Sequence, residues 1–478
     1  MRARRAAGAS LVALAAALLV PAAASAHGLV GKQDLPIPRV FFAWGASIVL
    51  VASFAGLSSL WKEPRLQEPR ETRVVGLPRV LEVLAGIVGV AFFAFCIYAG
   101  FAGQQEAAAN LLPTVYYVLF WVAVPIASAL LGDVFRAFNP WRAIARAVGW
   151  TAGRALRGRL PTPLPYPPGL GRWPAVAGIL AFAWLELCYA HKTDPAKLAG
   201  IALAYSAVQW IGMALYGIRE WSDKGDAFGS YFGLFARLAP LRWGDGALWR
   251  RKPLSGMATL TPVSGTVALV CVAIGTTSFD GFSNGPIWNG NGTGRGLGQI
   301  LQQDVFQRLG MSGEHALEAA FTVGMLVMVA LIASFYRLGI KGMSAVDRGQ
   351  HPPEVLARRF VHSLVPIALA YVIAHYFSLL AYQGQAVGYL ISDPLGHGAN
   401  LFGTAHQTID YNVVTSTGIW YVQVVALLIG HVSGLVLAHD RALVDYRTPR
   451  LASTSQRWML TVMVGFTTLA LYLLSANA

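Results

Sequence analysis

Apolar residues run along this chain in blocks of about twenty, at 39–61, 81–102, 113–132, 174–191, 198–218, 259–278, 317–336, 360–382, 416–437 and 458–475. Each block is long enough to carry a helix across a hydrocarbon core of about 30 Å, and none shows the short alternating segments of a membrane barrel. The pattern predicts an all-α fold, a polytopic transmembrane helical bundle of about ten spans. A shorter block comes first. Arg2, Arg4 and Arg5 precede GASLVALAAALLV, and PAAASA then ends at Ala26. A basic start, a short apolar stretch and small residues at the −3 and −1 positions predict a secretory signal peptide over 1–26. Cleavage there makes His27 the first residue of a single transmembrane domain, 27–478, with its N-terminus outside.

The polar segments between the blocks test that topology. With His27 outside, 62–80, 133–173, 219–258, 337–359 and 438–457 face inward. They hold 28 of the 37 Lys and Arg residues, against 6 in the outer segments. The excess of positive charge on one side supports this register, with both mature termini outside a plasma membrane. Segments 135–160 and 219–252 interleave arginine with Trp, Phe and Leu and predict amphipathic helices on the inner surface. Segment 161–174 is a Pro-rich connector. Two outer loops, 279–316 and 383–415, are long enough to carry function. The Gly-rich run in the first is no phosphate loop, because it follows no strand and lacks the G-K-[ST] ending.

Composition narrows the class. The chain is 55% hydrophobic and 13% charged, where soluble proteins carry about 25% charged residues. The net charge of +14 is accounted for by inner-side Lys and Arg facing anionic lipid, so no nucleic-acid partner is implied. Cys96, Cys188 and Cys271 form no CxxC pattern and read as small buried apolar residues.

Titratable groups inside apolar blocks carry most of the functional information, since they are costly there and face a cavity or a partner. A rise of about 1.5 Å per residue sorts them by depth. Glu186, His191, Asp280 and His375 fall toward the outer face. His362, His431 and His439 fall toward the inner face. The outer group lies beneath the 383–415 loop, which adds Asp393, His397, His406 and Asp410, and on the same side as His27. Imidazole and carboxylate together suit zinc or copper, so His191, His375, His397, His406 and His27 are candidate metal ligands. A terminal amine with its own imidazole at His27 would chelate copper as a histidine brace. Asp393-x3-His397 and His406-x3-Asp410 would present paired ligands if helical. His362 and His375 point about 140° apart on one helix, so a haem would need ligands from other helices. His362 and His431 read as hydrogen-bonding across neighbouring helices. No G-x-S-x-G or HExxH motif is present, so a hydrolase would use activated water. Glu186, Asp280 and His375 are the candidate catalytic residues, with the carboxylates as proton acceptors.

The stretches HGLVGKQDLPIP (27–38), FNPWRAIAR (138–146), SFDGFS (278–283), SDPLGHGANLFGTA (392–405) and WYVQVVALLIGHVSGLVLAHDRAL (420–443) together resemble a family of bacterial polytopic membrane proteins known as fenitrothion hydrolases. The resemblance spans most of the mature chain. It implies hydrolysis of organophosphate triesters, by water attack at phosphorus with release of a nitrophenolate, on a small lipophilic substrate concentrated by the bilayer. It carries no catalytic motif that transfers residue by residue. Two other readings use the same residues or none: a transporter or copper-handling membrane protein, and an accessory subunit without catalysis.

Overall fold

The structure, a computed structural model, describes residues 39–291, 294–346 and 351–476. The expected signal peptide and His27 lie outside the described residues. Along the chain come α1 (Arg39–Leu60), β1 (Thr72–Gly76), α2 (Arg79–Ala102), α3 (Leu111–Leu131) and α4 (Pro140–Ala155). Then follow α5 (Trp173–Leu187), α6 (Pro195–Tyr216), α7 (Ala227–Ala236), β2 (Leu241–Gly244) and β3 (Ala247–Arg250). The last five helices of eighteen or more residues among those described are α8 (Thr266–Ser283), α9 (Gly313–Val346), α10 (Val365–Gln383), α11 (Ser416–Asp445) and α12 (Pro449–Ala476).

A helix occupies each of the ten apolar blocks, but they differ in length and apolarity. Among the described residues seven are long and apolar enough to cross a membrane: α2, α3, α6, α8, α9, α11 and the run Pro353–Gln383 that ends in α10. The apolar part of α1 (Trp44–Leu60), α5 and α7 are shorter. Helix α5 stops at Leu187, so the expected span to 191 is cut short and His191 sits in the turn beyond it.

Two expectations for 219–252 change. First, α7 is buried at Ala227, Phe228 and every position from Ser230 to Ala236, so it is a core helix and not a surface one. Its N-cap, Asp226, accepts hydrogen bonds from Phe228 N, Tyr205 Oη and Asn139 Nδ2. Burial still pushes that carboxyl above its usual range. Second, β2 and β3 form a hairpin closed by Asp245 (φ 55°) and Gly246 (φ 67°), a pair of positive φ values that an Asp-Gly turn supplies. Strand β1 pairs with β3 with Thr72 opposite Arg250, giving a three-stranded antiparallel sheet in an otherwise helical chain. By contrast 135–160 is helical as expected, with Trp141 and Arg142 buried and Asn139 capping α4 through Arg142 N.

Aromatic residues fill the packing between α3, α4, α5, α6 and α7. Phe120 meets Phe228 at 4.6 Å and Phe232 at 5.2 Å between ring centroids, and Trp121 meets Phe182 at 4.5 Å. Rings of this size bury enough apolar area to fix how the short helix α7 sits among its neighbours. Elsewhere small residues set the contact. On α11, Gly430 and Gly434 are spaced four apart. A Cβ at Gly430 would lie 2.3 Å from Ala370 Cβ, and one at Gly434 would lie 2.8 Å from Ser363 O. Helices in lipid associate through such close backbone approach, since apolar surface alone gains little there. Gly430→Ala is therefore expected to destabilise the α10–α11 pair by about 1–3 kcal/mol through overpacking. Gly200→Ala, where an added Cβ meets nothing within 4 Å, should leave the melting temperature in detergent unchanged. Equal melting of the two variants would contradict this account of the contact.

Candidate functional site

Helix α8 ends on the apolar-to-polar sequence TTSFDGFS and holds Asp280 near its C-terminal end. Helix α10 passes alongside and presents His375 and Tyr376 from consecutive positions. Both meet one carboxylate oxygen. His375 Nε2 lies 2.8 Å from Asp280 Oδ2, and Tyr376 Oη donates to the same oxygen at 2.8 Å. Because a carboxylate only accepts, Nε2 carries the proton in this arrangement. The Asp280 and His375 side chains are 5% and 8% exposed, so the pair is sealed from bulk water. On the same helix, Asn284 Nδ2 donates to Asp280 O at 2.8 Å, holding the end of α8. At the neighbouring Gly281 an added Cβ would stand 3.6 Å from His375 Nδ1, an ordinary van der Waals contact, so α8 and α10 pack closely here.

Glu186 comes from α5, one residue from its end, and lies within electrostatic reach of Asp280. Tyr376 and Trp121 face its carboxyl, while Trp121 Nε1 stops short of hydrogen-bond geometry. Tyr117 and Tyr231 also feel its charge. Glu186 is half-buried. Trp121 and Tyr231 stack at 5.1 Å, and their polar tips, Trp121 Nε1 and Tyr231 Oη, are buried without a hydrogen-bond partner. Buried donors left this way are a small minority in folded proteins. Here they sit with Glu186 among them. The result is a cluster of two carboxylates, one imidazole and several polar-tipped aromatics between α3, α5, α7, α8 and α10.

The three candidate catalytic residues Glu186, Asp280 and His375 thus share one site, which also contains Tyr376, Trp121 and Tyr231. Nothing in the sequence distinguishes those three aromatics from ordinary core rings. The expected metal set divides. His375 is engaged with Asp280. His191 stands in the turn after α5, 3.4 Å from Glu314 Oε1 through its Nε2. The ligand spacings in the outer loop do not fold as helix. Asp393 instead turns back to accept from His397 N at 3.0 Å and Gly398 N at 2.7 Å, with Gly396 and Gly398 at positive φ. His406 lies in a turn of the same loop. Among the described residues the one grouping of three side chains able to hold a metal is Glu314, His315 and Glu318. His315 was not among the expected ligands, although Glu-His-x-x-Glu places i, i+1 and i+4 on adjoining helix positions.

Of His362 and His431, expected to hydrogen-bond across neighbouring helices, His431 bonds within its own helix, while His362 also has the Leu437 backbone of α11 beside its ring. His362 Nδ1 contacts Arg359 O at 2.8 Å and His431 Nδ1 contacts Leu427 O at 2.7 Å, each within its own stretch of chain. His439 Nε2 reaches Trp61 O at 2.9 Å, just past the end of α1. No family model matches the chain, and no curated protein or solved structure matches it either.

Proposed function

We propose that this is a membrane-embedded hydrolase of small lipophilic esters of the organophosphate triester class. Its acid–base centre in this reading is Asp280–His375, facing the outer half of a ten-span bundle in the plasma membrane, with 1–26 removed and the mature N-terminus outside. The observation that carries the proposal is the buried hydrogen bond from His375 Nε2 to Asp280 Oδ2. An imidazole held by a carboxylate on one nitrogen is a base at the other, and the carboxylate stabilises the imidazolium that forms. In this scheme His375 Nδ1 takes a proton from water. The water oxygen bonds to phosphorus, the bond from phosphorus to the aryl oxygen breaks, and a nitrophenolate leaves. Asp280, itself held by the Tyr376 hydroxyl, stabilises the imidazolium, which gives its proton up to water as the products depart. The substrate enters from lipid, where its own apolarity concentrates it.

A second reading has one specific observation in its favour. Glu186 is a further carboxylate that the Asp–His pair does not need, and carboxylate and histidine chains inside membranes carry protons in transporters. One experiment separates the two readings. Purified protein in detergent is incubated with a dialkyl 4-nitrophenyl phosphate, and the same preparation in liposomes is assayed for proton uptake. Steady nitrophenolate release that falls with His375→Ala supports the hydrolase. No release from wild type, with proton flux dependent on Glu186, would replace it with the transporter.

A further inference from the structure

We infer that His191, Glu314, His315 and Glu318 form a binding site for one divalent cation of the zinc class on the outer rim of the bundle. This site is separate from the Asp280–His375 pair and stands whether or not that pair hydrolyses esters. Two chain segments build it. The turn after α5 brings His191, and the first turns of α9 bring the other three. One ligand atom each from Glu314, His315 and Glu318 lies within 4.8 Å of the others. Closer pairs are set at tetrahedral spacing. His315 Nδ1 is 3.2 Å from Glu318 Oε2, and His191 Nε2 is 3.4 Å from Glu314 Oε1. Zinc bonds of 2.0–2.2 Å to nitrogen and oxygen require ligand atoms about 3.3–3.6 Å apart at the corners of a tetrahedron. His191 stands outside the mutually close group of three and joins it through Glu314; rotation of the exposed Glu314, His315 and His191 side chains would close the longer distances on an ion.

Three features distinguish the cluster from a group of surface acids. It contains two imidazoles, from separate segments, and each carboxylate is paired with one of them. Its innermost member, Glu318, is 15% exposed and is oriented from outside the cluster, since Ala190 N donates to Glu318 Oε1 at 3.0 Å. That leaves Oε2 for the ion, and fixed outer partners of this kind raise metal affinity. His191 also lines an open cavity of about 750 Å³ that carries Glu106 and Asp194, an acidic aqueous approach for a cation. A bound ion would pin the end of α5, five residues beyond Glu186, to the start of α9. The Trp184 Nε1 hydrogen bond to Thr322 Oγ1 at 2.8 Å already joins these helices.

The test is calorimetric titration of chelator-stripped full-length protein in detergent with zinc chloride, read together with the melting temperature. Wild type should bind one equivalent and melt higher with zinc. Glu318→Gln and His191→Ala should each weaken binding 10- to 100-fold, the range for lost ligand support, and lose the zinc-dependent rise. Glu314→Gln, on an exposed side chain, is the variant least able to disturb folding and should weaken binding in the same direction. His397→Ala in the other outer loop should bind as wild type does. No binding by wild type would overturn the assignment. So would an equivalent of zinc that persists in all three cluster variants, because the ion would then sit elsewhere.

Discussion

Asp280→Asn is expected to lower ester turnover by about 10²- to 10⁴-fold while the protein stays folded. General acid–base catalysis contributes about that factor, and it depends on the base being in the right protonation state and orientation. The amide is nearly the same size as the carboxylate, so the packing at the end of α8 is kept. What changes is the charge. Asp280 Oδ2 accepts from both His375 Nε2 and Tyr376 Oη at 2.8 Å. An asparagine placed there either offers a single neutral oxygen or turns an NH₂ toward two donors. The imidazolium then loses its counter-charge inside a cluster that bulk water does not reach, where the interaction is stronger than in water. The check is release of nitrophenolate by the purified variant at matched detergent and substrate. A variant that turns over as wild type does would remove Asp280 from the chemistry.

A larger effect on stability is expected at a place with no role in that chemistry. Asp440, near the C-terminal end of α11, is fully buried and accepts four hydrogen bonds. Trp61 Nε1 and Arg65 N reach Oδ1 at 3.0 and 2.6 Å, and Leu66 N and Gln67 Nε2 reach Oδ2 at 3.2 and 2.6 Å. The preceding residue, His439, holds Trp61 O. One turn of α11 thus fastens the whole segment after α1, for which backbone amides would otherwise have no acceptor. Removing the shared acceptor leaves four donors without it, at about 1–3 kcal/mol for each that stays buried. Asp440→Ala should therefore lower the melting temperature sharply and expose 61–67 to protease, while Asp440→Glu should recover only part of the loss. A variant that melts with wild type and resists protease at 61–67 would show that the clamp contributes little. This expectation does not depend on what the outer site does.

The two regions were legible in the sequence to different degrees, for a physical reason. The rise along a helix is a one-dimensional quantity, so counting residues from a predicted boundary places Glu186, Asp280 and His375 at similar depth without any knowledge of packing. Rotation about the axis and choice of neighbour are not one-dimensional. Depth alone therefore also grouped His191 with them, although α5 ends at Leu187 and the residues after it leave the helix. The aromatics around Glu186 were invisible because Tyr and Trp in an apolar run read as ordinary packing, and only their unpaired polar tips mark them. In the 383–415 loop the spacing around His397 and His406 suits a helix, but local competition from the Asp393 side chain and two glycines at positive φ folds the chain into turns. The hairpin at 241–250 carried a plain Asp-Gly signal that the surrounding arginines and aromatics masked. The Asp440 clamp could not be read at all, since its partners lie more than 370 residues away in the chain.

The most direct measurement is side-by-side hydrolysis of a dialkyl 4-nitrophenyl phosphate by purified wild type and Asp280→Asn, with the melting temperature of each sample taken in the same detergent. The account predicts catalytic turnover by wild type, a loss of at least about 100-fold in the variant, and melting curves that coincide. Absence of turnover by folded wild type, or equal turnover by the two proteins, would contradict it.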